Sequence, residues 1–167
     1  INFPTQDNLT GVFFPTPDTG YVVTRSGTIA RTTDAGKSWG GVQISKTTLE
    51  DIYFSDPRTA YVCGGGGRLL KSEDAGRNWV DRSLPDTSIT LLSVRRVTPL
   101  SLVTTGLTHD SAKNIIGVLM RSTDDGHTWT RLPVYGIGFG ELQLTPDKTV
   151  RFLSWGGLNT SNDFGAT

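Results

Sequence analysis

Four consecutive glycines, Gly64–Gly67, followed by Arg68, Lys71 and Ser72, have the residue types of a phosphate cradle. Such a loop needs its Lys and Ser/Thr directly after the last glycine, so that loop and helix start hold the phosphates together. Here Arg68 and the apolar pair Leu69-Leu70 intervene, and Asp74, Gly76 and Asn78 follow, which is turn chemistry. The spacing argues against phosphate.

Other reactive types are sparse. His109-Asp110 is the His–carboxylate neighbour pair, but adjacent residues in a strand point apart, so no metal site is expected there. Cys63 is the single cysteine, which excludes an internal disulfide, and its apolar setting reads as a buried small hydrophobe. Glycoside cleavage would need two carboxylates facing across a cleft. Asp51, Asp56 and Glu141 are available, but Asp56 precedes Pro57 and reads as a turn residue, and nothing in the sequence pairs the others.

What must position these residues is a repeat. "TTDAGKSW" (32–39), "SEDAGRNW" (72–79) and "STDDGHTW" (122–129) all read Ser/Thr-x-Asp-x-Gly-x-x-Trp, and "SNDFGAT" (161–167) is a fourth, shortened copy. The motif positions are Asp34, Gly36, Trp39; Asp74, Gly76, Trp79; Asp124, Gly126, Trp129; and Asp163, Gly165. The aspartates are separated by 40, 50 and 39 residues, the mark of stacked supersecondary units. Within each unit, short runs rich in Val, Ile, Tyr, Phe and Thr are divided by Gly, Pro and Asp at hairpin spacing.

The prediction is all-β: propeller blades of four antiparallel strands, with the motif turning the third strand into the fourth. In the second unit the strands fall near 50–55, 60–64, 67–72 and 78–82. The repeats span about 9–46, 48–85, 90–134 and 139–167, and residues 1–8 read as the tail of a preceding or closing blade. The expectation is a segment of a larger propeller, with a closed four-bladed ring as the alternative. Gly64–Gly67 then form the hairpin between second and third strands. The motif becomes a structural staple: Asp caps the turn, Gly supplies an unusual backbone angle, and Trp buries a ring. His127 occupies a variable, exposed motif position.

The motif resembles the Asp-box, or BNR, repeat of sialidases, xyloglucan-cleaving glycosidases, sortilin-type receptors and bacterial propellers. Within that group "DIYFSDPRTAYVCGGGGRLLKSEDAGRNW" is similar to the photosystem II assembly and stability factor propellers. That resemblance implies a non-catalytic, lumenal or periplasmic scaffold, without cofactor, that binds part of a membrane photosystem during assembly. A sialidase-type enzyme would carry an arginine triad and an Arg-Ile/Leu-Pro segment before the first box. "TRLP" (130–133) matches that segment only superficially, because it follows the third box and lacks the preceding aromatic. A glycan-binding receptor is a further alternative, with Trp155 as the aromatic able to stack a sugar.

Sixteen basic and sixteen acidic residues cancel, which gives no case for nucleic acid as partner. No run is long and apolar enough to span a bilayer. No targeting segment is recognisable, so export would imply one already removed or not included. A protein partner, such as a membrane complex, is expected. Its candidate contacts are cations at repeated blade positions, Arg25, Arg31, Arg68 and Arg121, together with His109 and Asp110. The latter two lie in an insertion of about ten residues, 106–116, that lengthens the third unit. Open blade edges also invite self-association.

Overall fold

The computed structural model describes residues 6–133, 142–154 and 157–161. These residues form four antiparallel sheets. The first holds β1 (Leu9–Phe13), β2 (Gly20–Thr24), β3 (Thr28–Thr32) and β4 (Gly40–Gln43). The second holds β5 (Leu49–Phe54), β6 (Ala60–Gly64), β7 (Leu69–Ser72) and β8 (Val80–Asp81). The third holds β9 (Thr90–Arg96), β10 (Leu102–His109), β11 (Ile115–Ser122) and β12 (Thr130–Leu132), and the fourth β13 (Leu142–Leu144), β14 (Val150–Ser154) and β15 (Gly157–Ser161). Each sheet pairs its strands in chain order, and the first strands of successive sheets touch: β1 on β5, β5 on β9, β9 on β13. This is the arrangement of propeller blades, and no helix occurs among the described residues.

The middle strands are buried on both faces, which is why β2 reads Gly-Tyr-Val-Val-Thr and β6 Ala-Tyr-Val-Cys-Gly without a polar alternation. Three cores lie between the blades. Tyr21, Val23 and Ile29 of the first pack on Leu49, Ile52, Phe54 and Leu70 of the second. Tyr61, Cys63 and Leu69 pack on Leu91, Val94 and Leu102 of the third. Val103 and Leu119 pack on Leu142, Val150 and Phe152 of the fourth. Each fully buried aliphatic chain contributes about 1.5–3 kcal/mol, so the junctions supply the main drive for stacking.

The repeated motif builds the same turn three times. In the second blade Asp74 Oδ1 accepts from the N–H groups of Arg77 (3.0 Å) and Asn78 (2.9 Å) and from the Ser72 hydroxyl (2.8 Å), which itself accepts from Gly76 N–H (2.9 Å). Asp34 and Asp124 repeat these bonds with Ser38 and Thr128 N–H at 2.9 and 2.8 Å. The hydrogen bonds hold the carboxyls below the usual range: Asp34 (Ser38 hydroxyl first) and Asp74 (Asn78 N–H first) at about 2, and Asp124 (Thr128 hydroxyl first) lower still. Gly36, Gly76 and Gly126 have φ of 84°, 73° and 84°, the left-handed region that costs glycine least. The preceding residues, Ala35, Ala75 and Asp125, share that region and bond back to the turn between first and second strands through Asp18, Arg58 and Leu100 carbonyls. In the first three blades the motif and the first turn therefore sit at one end, and the hairpin between second and third strands at the other. Trp39, Trp79 and Trp129 lie half-buried on the blade.

Two strands of the second blade are shorter than the sequence expectation. The third strand of the second blade starts at Leu69 rather than 67, because Gly66 and Gly67 have φ of 72° and 67°, which a strand cannot hold. Its fourth strand is only Val80–Asp81. The insertion in the third unit lengthens β10 and β11 to eight residues each, paired without a break from Leu102–Ser122 to His109–Ile115.

Candidate functional site

At the hairpin end of the blades, Arg25 opens the β2–β3 turn. It is exposed, and its side chain has no partner among the described residues. Its backbone N–H binds Asn8 O at 2.9 Å, which fixes the turn. Gly27 closes the turn at φ 87°, where an added Cβ would lie 2.2 Å from the Ser45 carbonyl. Arg68 stands at the same hairpin of the second blade, just before β7 rather than at the repeat position of Arg25, which is Gly65, and it is committed. It binds Asp81 at 2.9 Å and the Ser83 hydroxyl at 3.3 Å. The elongated β10–β11 hairpin stands at the same end. Asp110 closes its tip by accepting from Ala112 N–H (2.9 Å) and Asn114 N–H (2.8 Å) through one oxygen and from the Asn114 amide (3.0 Å) through the other. These bonds, the Asn114 amide foremost, lower the Asp110 pKa. His109 and Lys113 are exposed beside it.

Arg31 and Arg121 do not join this group. A third strand runs from the hairpin end to the motif end, and both residues lie one position before the motif. The single arginine face expected from the sequence is therefore split between two ends. Arg31 Nε donates to Tyr21 Oη (3.0 Å), and Tyr21 Oη donates to the Ala75 carbonyl of the next blade (2.7 Å). Arg31 thus braces a blade junction. Lys71, at the same position in the second blade, is buried and pairs with Asp125 of the third blade (2.5 Å) and with Glu73 (2.7 Å). Arg121 is half-buried.

The candidate acids are placed apart. Asp51 is held by Arg95 at 2.6 Å, with Ser93 Oγ at 3.1 Å on the same carboxylate oxygen, and Arg95 lies over the Tyr53 ring at 4.9 Å. Asp56 accepts from Arg58 and Thr59 N–H, each at 2.9 Å; burial pushes its pKa up, but these bonds outweigh it and bring it down. Glu141, Trp155, Asp163 and Gly165 lie outside the described residues. Cys63 is fully buried, and that burial pushes its thiol up, away from reactivity.

A groove of about 750 Å³ that sequence reasoning missed runs between the outer edges of the first two blades. Its lining includes Arg31, Arg68, Arg77, Trp79, Val42 and Asp81. Arg77 is exposed, and its side chain is unpaired among the described residues. The repeat itself carried the signal: strands β3 and β4 of one blade face β7 and β8 of the next, so residues about 40 apart share a wall. Three cations against one already paired carboxylate suit an anionic or carboxylate-bearing ligand.

No protein-family profile matches the chain, and no curated protein does. Solved structures do. YCF48 bound to a D1 peptide superposes with a TM-score of 0.73 at 19% identity, covering 98% of this chain and 54% of that one. The WD40 β-propeller domain of Doa1 gives 0.71 at 7% identity, covering 95% and 53%. A GH74 xyloglucanase from Xanthomonas campestris gives 0.70 at 19% identity, covering 94% and 28%. At such identities the likeness is one of fold, and the fold is the β-propeller. The chain spans about half the length of the YCF48 and Doa1 chains.

Proposed function

We propose that this chain is a non-catalytic Asp-box propeller scaffold that binds another protein through the hairpin end of its blades. The observation that carries the reading is the projection of the exposed Arg25 and the elongated 106–116 hairpin at that one end. Arg68, locked to Asp81, shapes the surface rather than supplying free charge. Arg31 and Arg121 belong to the blade junctions and the motif end.

The peptide held by YCF48 supports a partner that is itself a protein, since that chain shares the fold. The resemblance of the repeats to photosystem assembly propellers extends the reading to a membrane complex met in the periplasm, a thylakoid lumen or outside the cell. No helix among the described residues is long and apolar enough to cross a membrane. The non-catalytic part of the reading is supported by Asp51, whose carboxylate is spent on Arg95.

The test uses Arg25→Glu with Lys113→Glu, both exposed. Capture of partners from source membranes by the wild type should weaken as salt rises, because attraction between exposed charges is screened beyond roughly 8 Å at physiological ionic strength. The double variant should recover less partner and lose that salt dependence. Equal recovery at every salt concentration overturns the hairpin-end reading. Sugar release from xyloglucan or a sialoside, abolished by Asp51→Asn, overturns the non-catalytic one.

A further inference from the structure

The outer strands of the first three blades differ in how their edges are guarded. In the second blade β8 is two residues long and ends on Asp81, which Arg68 binds. In the third, β12 is three residues long, carries Arg131 and runs into Pro133. Shortness, charge and proline are the usual protections of a sheet edge. In the first blade β4 is the longest of the three, four residues reading Gly40-Gly41-Val42-Gln43, all exposed, with neither charge nor proline. The repeat places Gly40 and Gly41 where the second blade has Val80 and Asp81 and the third has Thr130 and Arg131.

The edge of β4 is also set for pairing. It is last in its sheet, so no strand lies beyond it among the described residues. Ile44 N–H donates to Gly27 O at 2.9 Å, and in the same register Val42 and Gly40 lie opposite Ile29 and Arg31. Because an antiparallel ladder alternates, these residues turn their backbone groups inward, and Gly41 and Gln43 turn theirs outward. Val42 shares a face with Ile29, which packs in the core against the second blade, so that face looks into the groove. Arg31 shares it too, and an added Cβ on Gly40 opposite would meet no atom within 4 Å. In the second blade Val80 stands across from Lys71. Glycine at this place leaves the groove open beside Arg31, and Arg68, Arg77 and Trp79 line it as well.

We propose that β4 receives an extended, acidic peptide segment of a partner protein, which adds a strand to the first blade and turns alternate side chains into the groove. In binding of this kind main-chain pairing supplies affinity, and the side chains on one face set selectivity. The acidic character follows from the lining: Arg31, Arg68 and Arg77 stand against Asp81, which Arg68 already binds, in a chain whose charges otherwise cancel. The site lies along the outer edge, apart from Arg25 and Lys113 at the hairpin end, so neither proposal depends on the other.

The probe is a labelled peptide of about six residues, the usual strand length, alternating Glu with Val so that every Glu falls on one face. Fluorescence anisotropy should show saturable binding that weakens as salt rises, and a peptide with Lys in place of Glu should not bind. Methylating the backbone nitrogens of one alternate set of peptide residues should abolish binding, and methylating the other set should leave it, because only one set faces β4. Gly41→Pro removes an outward donor, a place where a sheet edge accepts proline, and should raise Kd about tenfold with unchanged circular dichroism. Gly40→Val, which copies the second blade, should weaken binding by filling the space beside Arg31. Absence of binding by the wild type overturns the proposal. So do loss with both methylated peptides or with neither, an unchanged Kd in Gly41→Pro, and equal binding of the Glu and Lys peptides. A wild-type dimer in sedimentation that Gly41→Pro reduces to one chain makes a second copy the occupant and overturns it as well.

Discussion

The junction between the first and second blades and that between the second and third are built on one plan with different chemistry. In both, a second-strand tyrosine reaches the motif of the next blade, and a cation lies beside it on the third strand. At the first junction Tyr21 donates to a backbone carbonyl, that of Ala75, and Arg31 donates to the phenol oxygen. At the second, Asp125 stands where Ala75 stood. Tyr61 donates to Asp125 Oδ1 at 3.2 Å and Lys71 binds Oδ2 at 2.5 Å. The carboxylate of Asp125 makes a buried ion pair where the first junction has a cation bound to a neutral phenol. Such a pair adds little over a well-packed apolar contact, but removing one partner strands the other charge away from water. The first junction should therefore tolerate substitution and the second should not.

The largest expected effect follows from that difference. Asp125→Ala should cost roughly 3 kcal/mol, the low end of the range for breaking a buried pair, because the exposed Glu73 remains on Lys71. Adding Lys71→Arg recreates the Arg and Ala of the first junction and should return stability to within about 1 kcal/mol of the parent, a coupling readable as a double-mutant cycle. Denaturant melts of the parent, single and double variants decide it. Equal losses in single and double variants would show that the two junctions are not versions of one design.

The same contrast should appear in the pH dependence. Burial lowers the Lys71 pKa, but the Asp125 and Glu73 contacts outweigh it and lift it above the usual 10.5. Burial, then the Asp125 charge, pushes Tyr61 well above its usual 10.0. Raised values mean stability that is full below about pH 10 and is lost as pH climbs toward the folded values. Asp125→Ala should flatten that alkaline loss.

In acid the sign is reversed. Asp34, Asp74 and Asp124 have depressed values, so their contribution is present above the usual 3.8 and fades as pH falls toward 2. Thermal melts between pH 5 and 2 should show the decline, and Asp74→Asn should reduce it. A flat acid profile would remove the turn-capping role of the carboxylates.

The smallest effect is expected at the hairpin end. Arg25→Glu with Lys113→Glu should change stability by no more than about 0.5 kcal/mol, since neither side chain enters a core or a junction. A larger loss would mean that this end is structural.

The sequence by itself determined the blades and their turns. The eight residues of each motif hold donors, acceptor and left-handed positions close in the chain, so Asp74, Ser72 and Gly76 close the turn without distant help. The four-strand period and the glycine hairpin were legible for the same reason, although Gly64 ends β6 and the turn runs through Gly65–Gly67. What lay beyond the sequence was decided between blades. Arg31, Lys71 and Arg121 share one position in the repeat, yet one braces a tyrosine, one is a buried ion and one lies half-buried. For the first two, the residue that decides, Ala75 or Asp125, comes from the next blade, about 50 residues on. Leu9 and Leu49 likewise share residue type and repeat position, but one is exposed and the other buried. Burial is a property of the neighbouring surface rather than of the residue, and only the tertiary structure shows which faces have a neighbour.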